Sequence, residues 1–362
     1  MKTLYNFSAG PSVLPKEVLH DLQKNCVDYE GCGMSVMEMS HRSKEFDDII
    51  VKTEELFHKV AGIPDTYKVL FLQGGATMQF AMIPMNLLVK NGRADYIITG
   101  VFAGNACKEA KLFGKTINVA ATTEPVNFKV IPEQHELKLD PNADYVHICE
   151  NNTIIGSKWH YTPDTGKVPL VSDMSSCILS EPFDVTKYGL IYAGAQKNIA
   201  PAGLTVVIIR KDLIGDPLPG TPTMLNYKIQ AENDSMKNTP PCWPIYVSKL
   251  VLEHLLKMGG LEEMKKRNHE KAKILYDYLD TTDFYKTHVE PKYRSIMNVT
   301  FRTESKEMDD KFVSESKAAG MSNLKGHKQV GGLRASIYNA MPKEGIEYLV
   351  EFMKKFEKAN KK

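Results

Sequence analysis

A chain of 362 residues with 43% hydrophobic and 25% charged residues has the length for about two domains and a sizeable core. Its formal net charge of +2 gives no general electrostatic reason to bind nucleic acid or an anionic membrane. No apolar run reaches membrane-spanning length and no signal-peptide core opens the chain, so a cytoplasmic protein with no membrane contact is expected. Cys26, Cys32, Cys107, Cys149, Cys177 and Cys242 lack C-x-x-C spacing, which fits reduced thiols better than a disulfide framework or a zinc site, and no metal is expected.

Tyr5–Ser12 reads as a loop in which Gly10-Pro11 forces a turn. From Pro15 a helix is predicted, with Val18, Leu22, Cys26 and Tyr29 at helical spacing and Gly31 and Gly33 ending it. Ser43 is placed to cap a second helix that carries Phe46, Ile50, Phe57 and Val60 on one face and stops at Gly62 and Pro64. His41 and Arg42 lie just before that helix. They read either as an anion clamp, since Arg offers a planar fork to carboxylate or phosphate, or as surface groups beside an acid such as Glu45.

Val69–Leu72 reads as a strand, Gln73–Thr77 as a glycine-rich turn, and Met78–Leu88 as a helix kinked at Pro84. Strand, turn and helix start together form an anion site, where backbone N–H groups and the Thr77 hydroxyl face a phosphate. The turn is neither a Walker A loop nor G-x-G-x-x-G, and a plain tight βα connection reads equally. Strands follow at Tyr96–Thr99, Thr116–Ala120 and Tyr145–Cys149, with a helix at Gly104–Phe113. Phe102 and Thr153 fall just past strand ends. There an aromatic can stack on a planar ring and a hydroxyl can reach its substituents, or both can serve packing and turn formation.

Val168–Asp173 is a short apolar run that ends in an acid; Leu190–Tyr192 is another, followed by Gly194, Ala195, Gln196 and Lys197. A loop with Pro201 and Gly203 then leads to the strand Leu204–Ile209. A lysine at a strand mouth among small residues can be desolvated, and its neutral amine can attack a carbonyl. Taken alone, Lys197 reads more simply as an exposed strand-end lysine. Asp173 lies 24 residues upstream (197 − 173). An acid and an amine at the carboxyl ends of neighbouring parallel strands suit pyridoxal phosphate: the carboxylate keeps the pyridine nitrogen protonated and the amine carries the aldehyde carbon. Asp173 by itself also reads as a helix cap ahead of Met174.

Asp216–Pro244 is irregular, with six prolines and the polar run Ala231–Thr239, and its length points to a functional or interface arm. Helices are predicted at Val247–Met258 and Leu261–Leu279, with Gly259-Gly260 as the expected domain boundary. A strand at Ile296–Phe301, a helix at Met308–Ala319, a strand at Leu333–Ile337 and a helix at Lys343–Phe356 suit a small α+β domain. Arg334, at the start of its strand, is placed to reach a carboxylate across the domain cleft. His327 and Lys328 sit beside flexible backbone and also read as an exposed loop.

Asn6–Pro11, Ser40–Arg42, Gly74–Thr77, Asn152–Thr153, Ser172–Ser176, Gly194–Asn198, Asn238–Pro241 and Gly331–Ala340 together resemble the phosphoserine aminotransferases, fold-type I pyridoxal-phosphate enzymes of the class V aminotransferase group. The resemblance spans essentially the whole chain. It implies an α/β fold with a large domain on a mostly parallel sheet at 16–258 and a smaller α+β domain formed by 1–15 plus 259–362. It implies reversible amino transfer between glutamate and 3-phosphohydroxypyruvate, giving 3-phosphoserine and 2-oxoglutarate in serine biosynthesis, by a homodimer. In that resemblance Lys197 would carry the pyridoxal 5'-phosphate and shuttle the proton, Asp173 would pair with the pyridine nitrogen, and Thr153 would bond the phenolic oxygen. Phe102 would stack on the ring, where the family often has Trp. Ala76, Thr77 and Gln196 would hold the cofactor phosphate, joined by Asn238 and Thr239 from the neighbouring subunit. Arg334 would bind the substrate α-carboxylate, and His41, Arg42, His327 and Lys328 would form the pocket for a phosphate or a side-chain carboxylate. A cysteine desulfurase or another class V lyase would share the cofactor site but needs a mobile cysteine and usually a histidine beside the lysine, where this chain has Gln196. A non-catalytic pyridoxal-phosphate carrier would need Lys197 without the converging Arg42, His327 and Arg334.

Overall fold

The alternation of strands and helices builds a seven-stranded sheet in the computed structural model, which describes residues 4–361. Its strands are β2 (Tyr67–Leu72), β3 (Arg93–Ile98), β4 (Thr116–Thr122), β5 (Tyr145–Cys149), β8 (Leu170–Asp173), β9 (Leu190–Gly194) and β10 (Thr205–Arg210), in spatial order β2-β10-β9-β8-β5-β3-β4. Neighbours from β9 to β4 are parallel, and β10 runs antiparallel to both β9 and β2. The carboxyl ends of β2, β3, β5, β8 and β9 therefore share one edge, the edge where ligands bind in open α/β sheets. A two-residue hairpin of β6 (Asn151–Asn152) and β7 (Ser157–Lys158) sits directly after β5.

Nine α-helices occur among the described residues: α1 (Lys16–Lys24), α2 (Lys44–Ala61), α3 (Gly75–Leu87), α4 (Val101–Lys111), α5 (Tyr227–Glu232), α6 (Cys242–Lys257), α7 (Gly260–Leu279), α8 (Lys306–Ala318) and α9 (Lys343–Asn360). Strand residues alternate between two apolar layers, as the period of two demands. Leu70, Leu72, Tyr96, Val171, Tyr192 and Val207 face α3, α4 and α5. Val69, Phe71, Ile148, Ile191 and Ile208 face the larger core that includes α2, α6 and α7. None of the described helices is long and apolar enough to cross a membrane.

A smaller three-stranded antiparallel sheet has the order β11 (Lys286–Thr287), β12 (Asn298–Arg302) and β14 (Leu333–Ser336). The chain's first strand, β1 (Tyr5–Asn6), pairs in parallel with β13 (Met321–Ser322), so the N-terminal segment lies with C-terminal elements. Buried amides tie the two parts together. Asn151 donates to Ser176 Oγ and to Asn298 Oδ1, both at 2.8 Å, while Asn298 donates to Ser336 Oγ at 3.0 Å and to the Tyr338 hydroxyl at 3.1 Å.

Several sequence expectations need correction. The helix from Pro15 ends at Lys24, short of Cys26 and Tyr29. Tyr29 instead packs edge-on against Tyr246 of α6 at 5.3 Å, so tertiary packing overrides the helical spacing. The irregular 216–244 segment contains α5, whose start is capped by Asn226, and α6 begins at Cys242 rather than Val247. Ser43 and Gly62 behave as read: the Ser43 side chain accepts from the Phe46 N–H, and Gly62 closes α2 at φ 62°.

Lys271 of α7 is buried, and its Nζ donates to the carbonyl oxygens of Ile337, Tyr338, Asn339 and Met341 at 2.8–3.4 Å. This fixes the turn that follows β14. Burial and nearby Arg267 push the Lys271 pKa down to about 7, while the ring of carbonyls favours the charged form. Lys271→Met keeps the packed stem and strips four carbonyls of their donor, and should destabilise the fold by about 3 kcal/mol. Thermal melting of the variant beside wild type checks this; an unchanged melting temperature would contradict it.

Candidate active site

Lys197 follows β9 in a turn, half-buried, with Nζ donating to the Thr153 hydroxyl at 2.7 Å and lying 5.8 Å from the centre of the Phe102 ring. Asp173 ends β8 and is 5% exposed. Its Oδ1 accepts the Ser175 N–H at 2.9 Å, and Ser175 Oγ accepts the N–H of Gly194 at 3.0 Å, which locks the ends of β8 and β9 together. Burial pushes the Lys197 amine below its ordinary pKa, with the Asp173 charge opposing the shift. Burial likewise raises the Asp173 carboxyl, opposed by Ser175, Lys197 and Tyr192. Burial thus moves the amine and the carboxyl pKa values toward each other.

Thr153 is the pivot of the site. Its hydroxyl accepts from Lys197, and its backbone carbonyl accepts from Arg334 Nη1 at 3.3 Å. Arg334 lies on β14, and its Nε is buried without a partner. Such an orphaned donor on a guanidinium fits an incoming anion. His327 is half-buried near Arg334; burial, Arg334 and Lys328 all hold its imidazole below the ordinary value, while Lys328 is exposed.

After β2, Gly74 and Gly75 take φ of 89° and 67°, which lets the chain turn sharply into α3. Half-buried Ala76 and exposed Thr77 lie in the first turn, where helix N–H groups have no intrahelical acceptor. Asn238 lines a cavity of about 300 Å³ with Gln73, Gly74 and Met78, and Gln73 Nε2 donates to the Thr239 carbonyl at 3.0 Å. Gln196 lies half-buried beside Lys197.

His41 and Arg42 are not brought to this cluster. They lie in the turn before α2, where Arg42 N donates to Ser40 Oγ at 3.2 Å and His41 Nε2 is buried without a partner. Among the described residues, no hydrogen bond joins either to Lys197 or Arg334.

Sequence reading missed the support beneath Lys197. The segment 8–12 crosses the lysine turn: Ser12 N donates to the Gln196 carbonyl at 2.9 Å, and Ser12 Oγ donates to the Lys197 carbonyl. A Cβ on Gly10 would meet Gln196 Cγ at 3.3 Å and Lys197 Cγ at 3.5 Å, so the approach is close enough to favour glycine. Behind the turn, Asn198 Oδ1 accepts the Asn339 N–H at 3.0 Å and ties it to the segment held by Lys271. The Gly-Pro pair and the asparagines beside the chemical residues were the available signals.

The residues fit pyridoxal phosphate. A desolvated amine stands ready for an aldehyde, a buried carboxylate for a pyridinium, a helix start for a phosphate and a guanidinium with an unpartnered Nε for a carboxylate. Among the described residues, no cluster of three His, Cys, Asp or Glu side chains could hold a metal.

Comparison with known proteins agrees with this chemistry. A model of the aminotransferase class-V family matches residues 4–349. The phosphoserine aminotransferase of Nitrosomonas europaea is 53% identical across 99% of both chains, and that of Bacillus cereus is 50% identical across the full length of both. The solved phosphoserine aminotransferase of Bacillus circulans subsp. alkalophilus has a TM-score of 0.97 at 48% identity, covering 99% of both chains. A PLP-bound phosphoserine aminotransferase from Trichomonas vaginalis has a TM-score of 0.94 at 38% identity, covering 97% of this chain and 99% of its own. The family match runs from Leu4 to Leu349, takes in every strand of both main sheets, and places the chain in the class-V aminotransferase family.

Proposed function

We infer that the chain is a pyridoxal-phosphate-dependent phosphoserine aminotransferase, moving an amino group reversibly between glutamate and 3-phosphohydroxypyruvate. The observation that carries this reading is the convergence of the Lys197 amine and the Arg334 guanidinium on Thr153, with Arg334 Nε left for a ligand. Full-length relatives at 50–53% identity that carry this name support it. A lyase reading is disfavoured because Cys149 and Cys177 are buried, with thiol pKa values raised by burial, and Gln196 stands beside the lysine.

When bound, pyridoxal phosphate supplies an aldehyde to carry the amino group and a ring that takes up electrons. In our reading Asp173 holds the pyridine nitrogen protonated, Thr153 bonds the phenolic oxygen and Phe102 stacks on the ring. Ala76, Thr77 and Gln196 hold the phosphate. Lys197 Nζ takes and returns the proton at the substrate's α-carbon, a task helped by its lowered pKa. Arg334 orients the α-carboxylate shared by all four substrates and products. His327 and Lys328, with His41 and Arg42, receive the variable phosphate or carboxylate.

We further propose a homodimer. Asn238 and Thr239 lie at an exposed rim, and His41 and Arg42 make no bond to Lys197, so a second copy is the simplest source of these groups for a complete site. A large domain at 16–258 and a small one at 1–15 plus 259–362 remain our division of the chain, and a cytoplasmic location our reading of its composition.

Lys197→Ala should lower transamination by several orders of magnitude with the fold intact, since no second amine is in place. Borohydride reduction of wild type followed by peptide mapping should put the cofactor label on Lys197; a label elsewhere overturns the assignment. Arg334→Ala should damage both half-reactions, whereas Arg42→Ala should raise KM for phosphohydroxypyruvate more than for glutamate. Each lost charge-assisted contact costs roughly 1.5–3 kcal/mol, about one to two decades. Equal losses for both substrates in Arg42→Ala would remove this arginine from the phosphate pocket. His327 loses its charge as pH rises through its lowered pKa, so the preference for the phosphorylated substrate should weaken in that direction. Finally, mixing inactive Lys197→Ala chains with an inactive Asn238→Ala/Thr239→Ala double variant should restore activity through hybrids holding one intact site. Inactive hybrids of proven heterodimeric composition would count against shared sites.

A further inference from the structure

A line of polar side chains runs from Asp173 into the interior, on the sheet face covered by α3 and α4. Tyr192 of β9 stands beside Asp173 in the strand register, and both are buried on the same face of the sheet. The same hydroxyl lies 2.9 Å from Nε2 of His147 on β5, with Val171 of β8 in register with His147 between them. His147 is buried and stacks on Tyr96 with ring centres 4.8 Å apart, and the Tyr96 hydroxyl is 2.7 Å from that of Tyr145.

Burial drives the His147 pKa down to about 3, so the ring is neutral and one nitrogen carries the proton. The choice of nitrogen matters, because Tyr192 has a single proton to donate. With the proton on Nδ1, Nε2 would take the tyrosine proton and Asp173 would lose a donor. With the proton on Nε2, the tyrosine oxygen accepts from the ring and its O–H turns to the carboxylate. Nδ1 is buried with no hydrogen-bond partner. An unmatched lone pair is tolerated better than an unmatched buried N–H, which favours the second arrangement.

We propose that His147 and Tyr192 are positioning residues for amino transfer: His147 Nε2–H donates to the Tyr192 oxygen, and the Tyr192 O–H is thereby turned to the Asp173 carboxylate and orients it. The proposal rests on our reading that Asp173 faces the pyridine nitrogen. It assigns neither residue a contact with substrate.

Selective ¹⁵N labelling of histidine in the holoenzyme, with the His147 signal assigned by its loss in His147→Gln, reads the tautomer directly. A protonated Nε2 and a bare Nδ1 are expected; a protonated Nδ1 overturns the proposal. Tyr192→Phe should weaken cofactor binding and lower kcat by about tenfold to a hundredfold, with KM for glutamate little changed. It should also move the pH midpoint of the bound cofactor's visible absorbance. His147→Gln, whose amide N–H can donate to the same oxygen, should retain more activity than His147→Phe. Unchanged cofactor affinity and absorbance midpoint in folded Tyr192→Phe would refute the proposal. If Asp173→Asn also keeps wild-type cofactor affinity, the assignment of Asp173 itself has failed, rather than the support behind it.

Discussion

Burying an amine and a carboxylate at the ends of adjacent strands is costly unless each finds hydrogen bonds and the other's charge. Lys197 and Asp173 meet that constraint through Thr153 and Ser175, and most of the surrounding architecture serves it. The parallel run from β9 to β3 brings the relevant strand ends to one edge. The hairpin after β5 then places Thr153 over the lysine. Because the Thr153 carbonyl also holds Arg334, a single residue sets the separation between the Lys197 amine and the Arg334 guanidinium.

The smaller sheet is positioned by polar contacts as well as by apolar packing. Asn151, Asn298, Asn198 and Asn339 form buried amide links across the junction, and Lys271 gathers the turn after β14. Directional bonds of this kind specify one arrangement where apolar surfaces alone would tolerate sliding. The position of Arg334 therefore depends on residues far from its own strand. The basic segment at 326–332 is held by its own turn, where Val330 N and Gly331 N both donate to the His327 carbonyl, and by Arg302 of β12, whose Nη2 donates to the Val330 carbonyl at 3.3 Å.

Much of this was legible in the sequence. Short apolar runs, one ending in Asp173 and one closely followed by Lys197, revealed the strand ends, since buried parallel strands read as continuous apolar segments. Ser43 and Gly62 marked helix termini through backbone chemistry that is local. What escaped reading was non-local. The end of α1 is decided by Tyr29 docking on Tyr246 more than two hundred positions away, and the reversed direction of β10 leaves no trace in its apolar pattern. Tyr192 looked like one more core aromatic, because only the register shows that it stands beside Asp173. His41 and Arg42 formed an anion motif on paper, but spacing cannot tell whether a basic pair serves its own chain's site or another surface.

The strap of residues 8–12 beneath the lysine turn has a consequence for biosynthesis. Among the described residues its anchor, β1, pairs with β13 alone, and Asn6 and Ser322 are 316 positions apart. At a synthesis rate of about 5–20 residues per second, the first strand waits roughly 15 to 60 s for its partner to emerge. The large sheet has all its strands by Arg210 and can assemble earlier. The lysine turn thus forms before its backing does. Catalytic competence comes with the last third of the chain to leave the ribosome, and a truncated product could hold a well-formed sheet around an unsupported amine.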